Sequence, residues 1–281
     1  MRGAPRAALV ADLTPATLRG AAYGLRQSLD TIGAFIGPLL AIVLMLAWAG
    51  DFRKVFWFAT LPGLLAVALL AIGVHEPKPT GPVQAKAPIH WRALKQLDAA
   101  YWQIVAMGAV FTLARFSEAF LILRARQNGL PDSLAPLVLV TMNVVYALSA
   151  YPAGLLADRL DRRHLMAAGL VALIASDLTL AWAPGLAAVA VGVALWGLHM
   201  GLTQGVFATM IADAAPAQLR GSAFGFFNLA GGIAMLIASA LAGFLWGRFG
   251  AAATFYAGAG FAVVALGFIA ADFKFEGEAA R

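Results

Sequence analysis

The sequence predicts an all-α membrane protein, a helical bundle with eight transmembrane helices, and three observations carry that expectation. Apolar residues make up 62% of the 281-residue chain and charged residues only 12%, too little polar surface to coat a water-soluble globule. The mean hydropathy is +0.81, which makes lipid the main solvent. Twenty-nine glycines run through the apolar stretches, where they let membrane helices approach closely; in soluble helices each would be a liability.

A hydrocarbon core of about 30 Å needs about 20 apolar residues per helix. Eight segments meet that requirement: Leu18–Trp48, Phe52–Val74, Tyr101–Leu123, Leu134–Ala157, His164–Trp182, Leu186–Ala212, Leu219–Trp246 and Ala251–Phe273. Glycine, proline or charged residues punctuate every gap. The first segment is longer than a bilayer requires, so its opening turns are expected at the interface. Ahead of it, Ala7 to Ala11 is too short an apolar run for the core of a signal peptide.

Eight spans put both termini on one side, and the distribution of Lys and Arg selects that side. Thirteen lie in segments sharing the side of the termini, among them Arg2, Arg6, Arg19, Arg159, Arg162, Arg163 and Arg220, against five in the opposite loops, Arg53, Lys54, Arg124, Arg126 and Arg248. Both termini are therefore expected in the cytoplasm, with the chain in the inner membrane. The net charge of +6 reads as this topology signal rather than as a nucleic-acid surface, because no basic run with interleaved aromatics accompanies it. The absence of cysteine excludes disulfides and thiolate metal sites.

The connection at 76–98 differs from the others. It is polar, long and carries Pro77, Pro79, Pro82 and Pro88, the composition of a linker between two bundles. The expected division is 1–75, the end of one bundle with two helices; 76–98, a cytoplasmic linker; and 99–281, a six-helix bundle.

An internal repeat explains the imbalance. At an offset of 201, Ala11–Gly24 (ADLTPATLRGAAYG) matches Ala212–Gly225 (ADAAPAQLRGSAFG) at nine of fourteen positions. Each copy joins an Asp and a Pro to a Leu-Arg-Gly step that opens a membrane helix. The first two helices then correspond to the last two, and a complete first bundle would have four more helices. Parallel six-helix repeats are a transporter architecture with the substrate between the halves. The alternative is an eight-helix protein complete as it stands.

These residues resemble the major facilitator superfamily, with this chain as helices five to twelve of its twelve. Gly154, Asp158, Arg159, Arg162 and Arg163, in GLLADRLDRR, are similar to the family's G-x-L-x-D-R-x-x-R-R loop, with Asp161 where a glycine is usual. Gly24, Gly33, Gly37 and Pro38 reproduce the spacing G-x8-G-x3-G-P of the fifth-helix motif of proton-coupled efflux antiporters, with Ala41 and Ile42 in place of its closing glycine pair. The resemblance implies a secondary active transporter working by alternating access, with proton-coupled efflux of a small molecule, no cofactor, the proton gradient as energy source, and a monomeric full-length protein. Physically, Asp158 is placed to dock against the positive N-terminal end of the helix opening at Arg19 and Gly20, latching one side.

Ionised groups within the apolar spans are expensive and so invite a functional reading. Arg26 and Asp30 stand at i and i+4, and Arg115 and Glu118 at i and i+3, so each pair is expected to neutralise itself on one helical face. Asp30 or Glu118 is expected to carry the coupling proton while Arg26 and Arg115 tune its pKa or bind an anionic group of the substrate, the alternative being static pairs that face a hydrated cavity. Asp177 has no sequence-near partner and is expected near the wet interface. Asn143, Tyr146, His199, Gln204 and Asn228 are the candidate cavity residues. By the resemblance, helices seven and ten line the cavity, which here means Arg115, Glu118, His199 and Gln204. His199 stands among Gly197, Gly201 and Gly205, so a packed helix–helix hydrogen bond is its leading expectation. No metal-ligand cluster accompanies it, and an embedded enzyme is disfavoured because HExxH, GxSxG and cysteine are all missing. The rival reading is a non-transporting remnant or membrane sensor with a transporter fold.

Overall fold

The computed structural model describes residues 3–48, 51–73, 96–131 and 134–270, so the expected linker at 76–98 lies outside the described residues apart from 96–98. The described helices are α1 (Gly3–Leu13), α2 (Arg19–Ala47), α3 (Phe52–Gly73), α4 (Ala99–Ala114), α5 (Ala119–Gln127), α6 (Pro136–Ala157), α7 (Arg162–Trp182), α8 (Leu186–Ala214), α9 (Arg220–Phe249) and α10 (Ala251–Ala270). Seven described segments are long and apolar enough to cross a membrane: Ala16–Ala47, Ala99–Gln127, Pro136–Ala157, Arg162–Trp182, Leu186–Ala214, Ala217–Phe249 and Ala251–Ile269. The remaining predicted span, Phe52–Val74, is helical as α3 but is not among the seven. The expected count of eight is therefore not carried by the described residues.

The repeat is structural as well as sequential. After α1, Pro15 (φ −53°, ψ 147°) leads into a 3-10 turn at Ala16–Leu18, and Arg19 then opens α2. After α8, Pro216 (φ −53°, ψ 145°) leads into the turn Ala217–Leu219, and Arg220 opens α9. Each proline forces its segment out of the preceding helix and presets the turn that starts the next. By this correspondence α1 is the counterpart of the end of α8. Sequence reasoning left residues 3–13 without an element, because 11 residues with no apolar stripe neither span a bilayer nor announce an amphipathic helix.

Helices α6 and α8 form the spine. α2 packs along α6, α6 along α8, α8 along α7 and α7 along α10, while α4 lies against α9 and α10. Glycines set the closest approaches. A Cβ built on Gly24 would stand 2.5 Å from the carbonyl oxygen of Ala150, and one on Gly197 would strike the carbonyl oxygen of Met142. Both are backbone obstacles that cannot rotate away, which is how small residues bring membrane helices together. Trp196, Tyr101, Phe255, Leu121 and Met142 fill the interior and are fully buried. The opposite holds for α3: Phe56, Trp57, Leu61 and Leu64 are all exposed, and in a bilayer such a surface faces acyl chains or other helices.

Candidate functional site

At one end of the bundle a set of charged groups links the helices. Asp158, the residue that ends α6, accepts hydrogen bonds from the backbone N–H of Gly20 at 2.7 Å and of Ala21 at 2.8 Å. Both donors belong to the first turn of α2, whose N–H groups have no partner within the helix and sit at its positive end. Gly20 is small because it must be: a Cβ there would lie 2.5 Å from both Asp158 Oδ1 and the Gly154 carbonyl oxygen. Asp161 stands where a glycine is usual in the family's loop; its φ of −59° is ordinary, and its carboxylate caps α7 by accepting the Arg163 N–H at 2.9 Å.

Around this latch the two repeat copies exchange partners. Arg19 of the first copy donates to Asp213 of the second at 2.5 Å, and Arg220 of the second donates to Asp12 of the first at 2.5 Å. Arg162 also holds Asp213, at 2.7 Å. Arg220 Nε donates in addition to the carbonyl of Ala212 at 3.1 Å. Arg159 is exposed. Sequence comparison located these Asp and Arg residues as a repeated motif; that each copy pairs with the other follows only from the fold.

Deeper in the bundle is a cavity of about 270 Å³. Its wall carries Arg26 and Arg115, the polar groups Gln27, Thr112, Thr203, His199, Gln204 and Asn228, and the aromatic rings of Phe111, Phe207 and Phe227. Of the candidate cavity residues, His199, Gln204 and Asn228 line it, whereas Asn143 and Tyr146 do not; Asp30 and Glu118 are also absent from its wall. His199 is buried, and its Nδ1 donates to the carbonyl of Gly169 on α7 at 2.8 Å, so the expected helix–helix hydrogen bond is present on a residue that also faces the cavity.

The two charged pairs behave differently from one another. Arg26 Nε lies 3.5 Å from Asp30, in the spacing expected along a continuous helix, but Asp30 is held more closely by Arg6 of α1 at 2.7 Å. Arg115 and Glu118 form no ion pair, contrary to expectation, because the helix does not continue between them. α4 ends at Ala114, Arg115 is extended at φ −117°, ψ 110°, and α5 begins at Ala119. The break has visible causes. Phe116 is driven inward against Phe120, Trp196 and Phe255 with ring centroids 5.3–5.5 Å apart, and the Ser117 N–H is taken by Ser239 Oγ at 3.2 Å. All four charges come within Coulombic reach of Tyr146, a convergence of α2, α6 and the α4–α5 break that sequence spacing cannot show.

Two further expectations change. Asp177 is not at a wet interface: it is 0% exposed, and neither carboxylate oxygen has a hydrogen-bond partner. In the fifth-helix glycine motif, among the described residues, a Cβ at Gly24 would meet another helix whereas one at Gly33 or Gly37 would meet nothing within 4 Å, and Pro38 lies inside α2, which runs on to Ala47.

The sequence profile of the Major Facilitator Superfamily matches residues 3–130 and, again, 104–276. An uncharacterized MFS-type transporter of Methanocaldococcus jannaschii is 27% identical over 253 residues, which is 88% of this chain and 62% of that protein. An uncharacterized protein of Mycobacterium tuberculosis is 26% identical over 255 residues, 88% of this chain and 61% of that one. The crystal structure of the human organic anion transporter MFSD10 superposes with a TM-score of 0.64 at 16% identity, covering 95% of this chain and 67% of that one, a likeness of fold. This chain thus spans about three-fifths of the length of the curated relatives it matches. With the profile matching nearly its whole length, the chain belongs to the major facilitator superfamily.

Proposed function

We propose that the chain is the working part of a secondary active transporter that alternates access to a central cavity, and that this structure is the state closed at the Asp158 end. The observation that carries the reading is the set of bonds tying α1 and α2 to the second-copy helices: Asp158 on the first turn of α2, Arg19 on Asp213 and Arg220 on Asp12. Every one of them joins segments on opposite sides of the linker region. Rocking one group of helices against the other breaks them together and opens the cavity to that side, in the manner of repeat-based transporters.

The finer reading is proton-coupled efflux of a small molecule, in the inner membrane, with both termini cytoplasmic and a monomer when full length. The Gly24, Gly33, Gly37 and Pro38 spacing supports efflux, and Asp30, shared between Arg6 and Arg26, is the leading proton carrier, with Glu118 the other.

The test uses the natural absence of cysteine. Asn228→Cys on the cavity wall is labelled with a membrane-impermeant maleimide in vesicles of both orientations. The expected result is that Asp158→Ala raises labelling from the Asp158 side several-fold. Labelling that Asp158→Ala leaves unchanged from both sides would contradict alternating access through this latch.

A further inference from the structure

The cavity holds more unspent donors than a resting wall should. Arg115, extended at the helix break, makes no hydrogen bond or ion pair through its side chain among the described residues. Arg26 reaches Asp30 only at 3.5 Å, on a carboxylate that Arg6 already holds at 2.7 Å, and its buried Nε has no hydrogen-bond partner. Tyr146, outside the cavity wall, is buried with its hydroxyl unpaired, and Arg26, Arg115, Asp30 and Glu118 all lie within Coulombic reach of it. Buried donors without acceptors are costly and uncommon; Arg26 Nε is one, and Arg26 on α2 and Arg115 at the α4–α5 break both line the cavity. No carboxylate lines the cavity among the described residues.

The rest of the wall is aromatic. Phe111 and Phe207 meet edge to face with centroids 5.1 Å apart, and Phe227 lies 5.7 Å from Phe207. A group that satisfies the polar end must accept several hydrogen bonds and carry negative charge, because guanidinium donors bind carboxylate-like anions most strongly. A group that satisfies the other end must be apolar. At about 270 Å³ the space lies near the lower end of ligand pockets, about 300–1,000 Å³, which limits the ligand to a small molecule.

We propose that this cavity binds a small organic anion, its carboxylate or equivalent group held between Arg26 and Arg115, and its apolar body against Phe111, Phe207 and Phe227. The proposal rests on the transporter reading above and gives it a substrate class. Because the two arginines stand on α2 and at the α4–α5 break, on opposite sides of the linker region, the bound anion ties the two helical groups to each other. It thereby acts on the same rigid-body equilibrium as the Asp158 latch.

The test is thermal unfolding of the full purified chain in detergent with millimolar phenylacetate or benzoate, with phenylacetamide as the uncharged analogue, 2-phenylethylamine as the cationic one and sodium acetate as the control for a generic anion effect. Both aromatic carboxylates are expected to raise the melting temperature while the other three do not. Arg115→Gln and Arg26→Gln should each weaken carboxylate binding by about tenfold or more. The comparison among ligands needs no variant, so misfolding of either one leaves it readable. Failure of both carboxylates to stabilise the protein, equal stabilisation by the amide, the amine or acetate, or an effect unchanged in both folded variants overturns the proposal. Carboxylate-selective stabilisation in a protein whose Asn228→Cys labelling never changes side would keep the anion site and remove the transporter reading; side-switching without anion selectivity would do the reverse.

Discussion

Asp177 shows how a single side chain separates what spacing suggests from what packing decides. It sits on α7 facing α10 so closely that a Cβ on Gly258 would lie 2.6 Å from its Oδ2, with Phe116 beside it. A carboxyl group without a partner in such surroundings is a net cost to the fold. Asp177→Ala is therefore expected to raise the thermal stability of the chain, the opposite sign to most truncations in a core; a lower melting temperature would mean that the carboxyl has a stabilising partner. Its neighbour in purpose, Asp158, is placed differently: two backbone N–H groups complete its hydrogen bonding. Sequence alone marked both as acidic residues in an apolar chain. The motif around Asp158 distinguished it, whereas nothing local to Asp177 shows which helix it will face.

At the scale of the element, the long apolar helices were legible because lipid demands length and hydropathy that few other structures need. The predicted boundaries of α6 coincide to within two residues with Pro136–Ala157. The break between α4 and α5 was not legible, because no Gly or Pro stands between Ala114 and Ala119 and the chain leaves the helix for tertiary reasons: Phe116 packing inward and Ser239 supplying an acceptor. That break is also why Arg115 and Glu118 do not pair. The glycine motif of α2 divides in the same way. Gly24→Ala should destabilise the chain by about 2 kcal/mol or more, since the new methyl meets backbone at 2.5 Å. Gly33→Ala and Gly37→Ala, with open space around them, should change stability by less than about 0.5 kcal/mol or raise it slightly through helix propensity. Denaturation of the three variants in one detergent decides; equal losses at all three positions would show that the motif packs as a unit.

At the scale of the whole molecule, the 201-residue offset turned out to be the most informative line in the sequence. It implied two related groups of helices, and the structure adds that the repeated Asp and Arg residues bond across from one copy to the other. Reciprocal exchange of this kind makes the closed end cooperative: separating the groups of helices removes the Asp158 contacts and both Arg–Asp bonds in one motion. The most direct measurement of the central claim is the distance between spin labels on Leu18→Cys and Leu160→Cys, exposed positions that flank the latch, with the chain in lipid. Alternating access predicts two distance populations, with Asp158→Ala shifting weight to the longer one. A single narrow distance that Asp158→Ala leaves in place would contradict it.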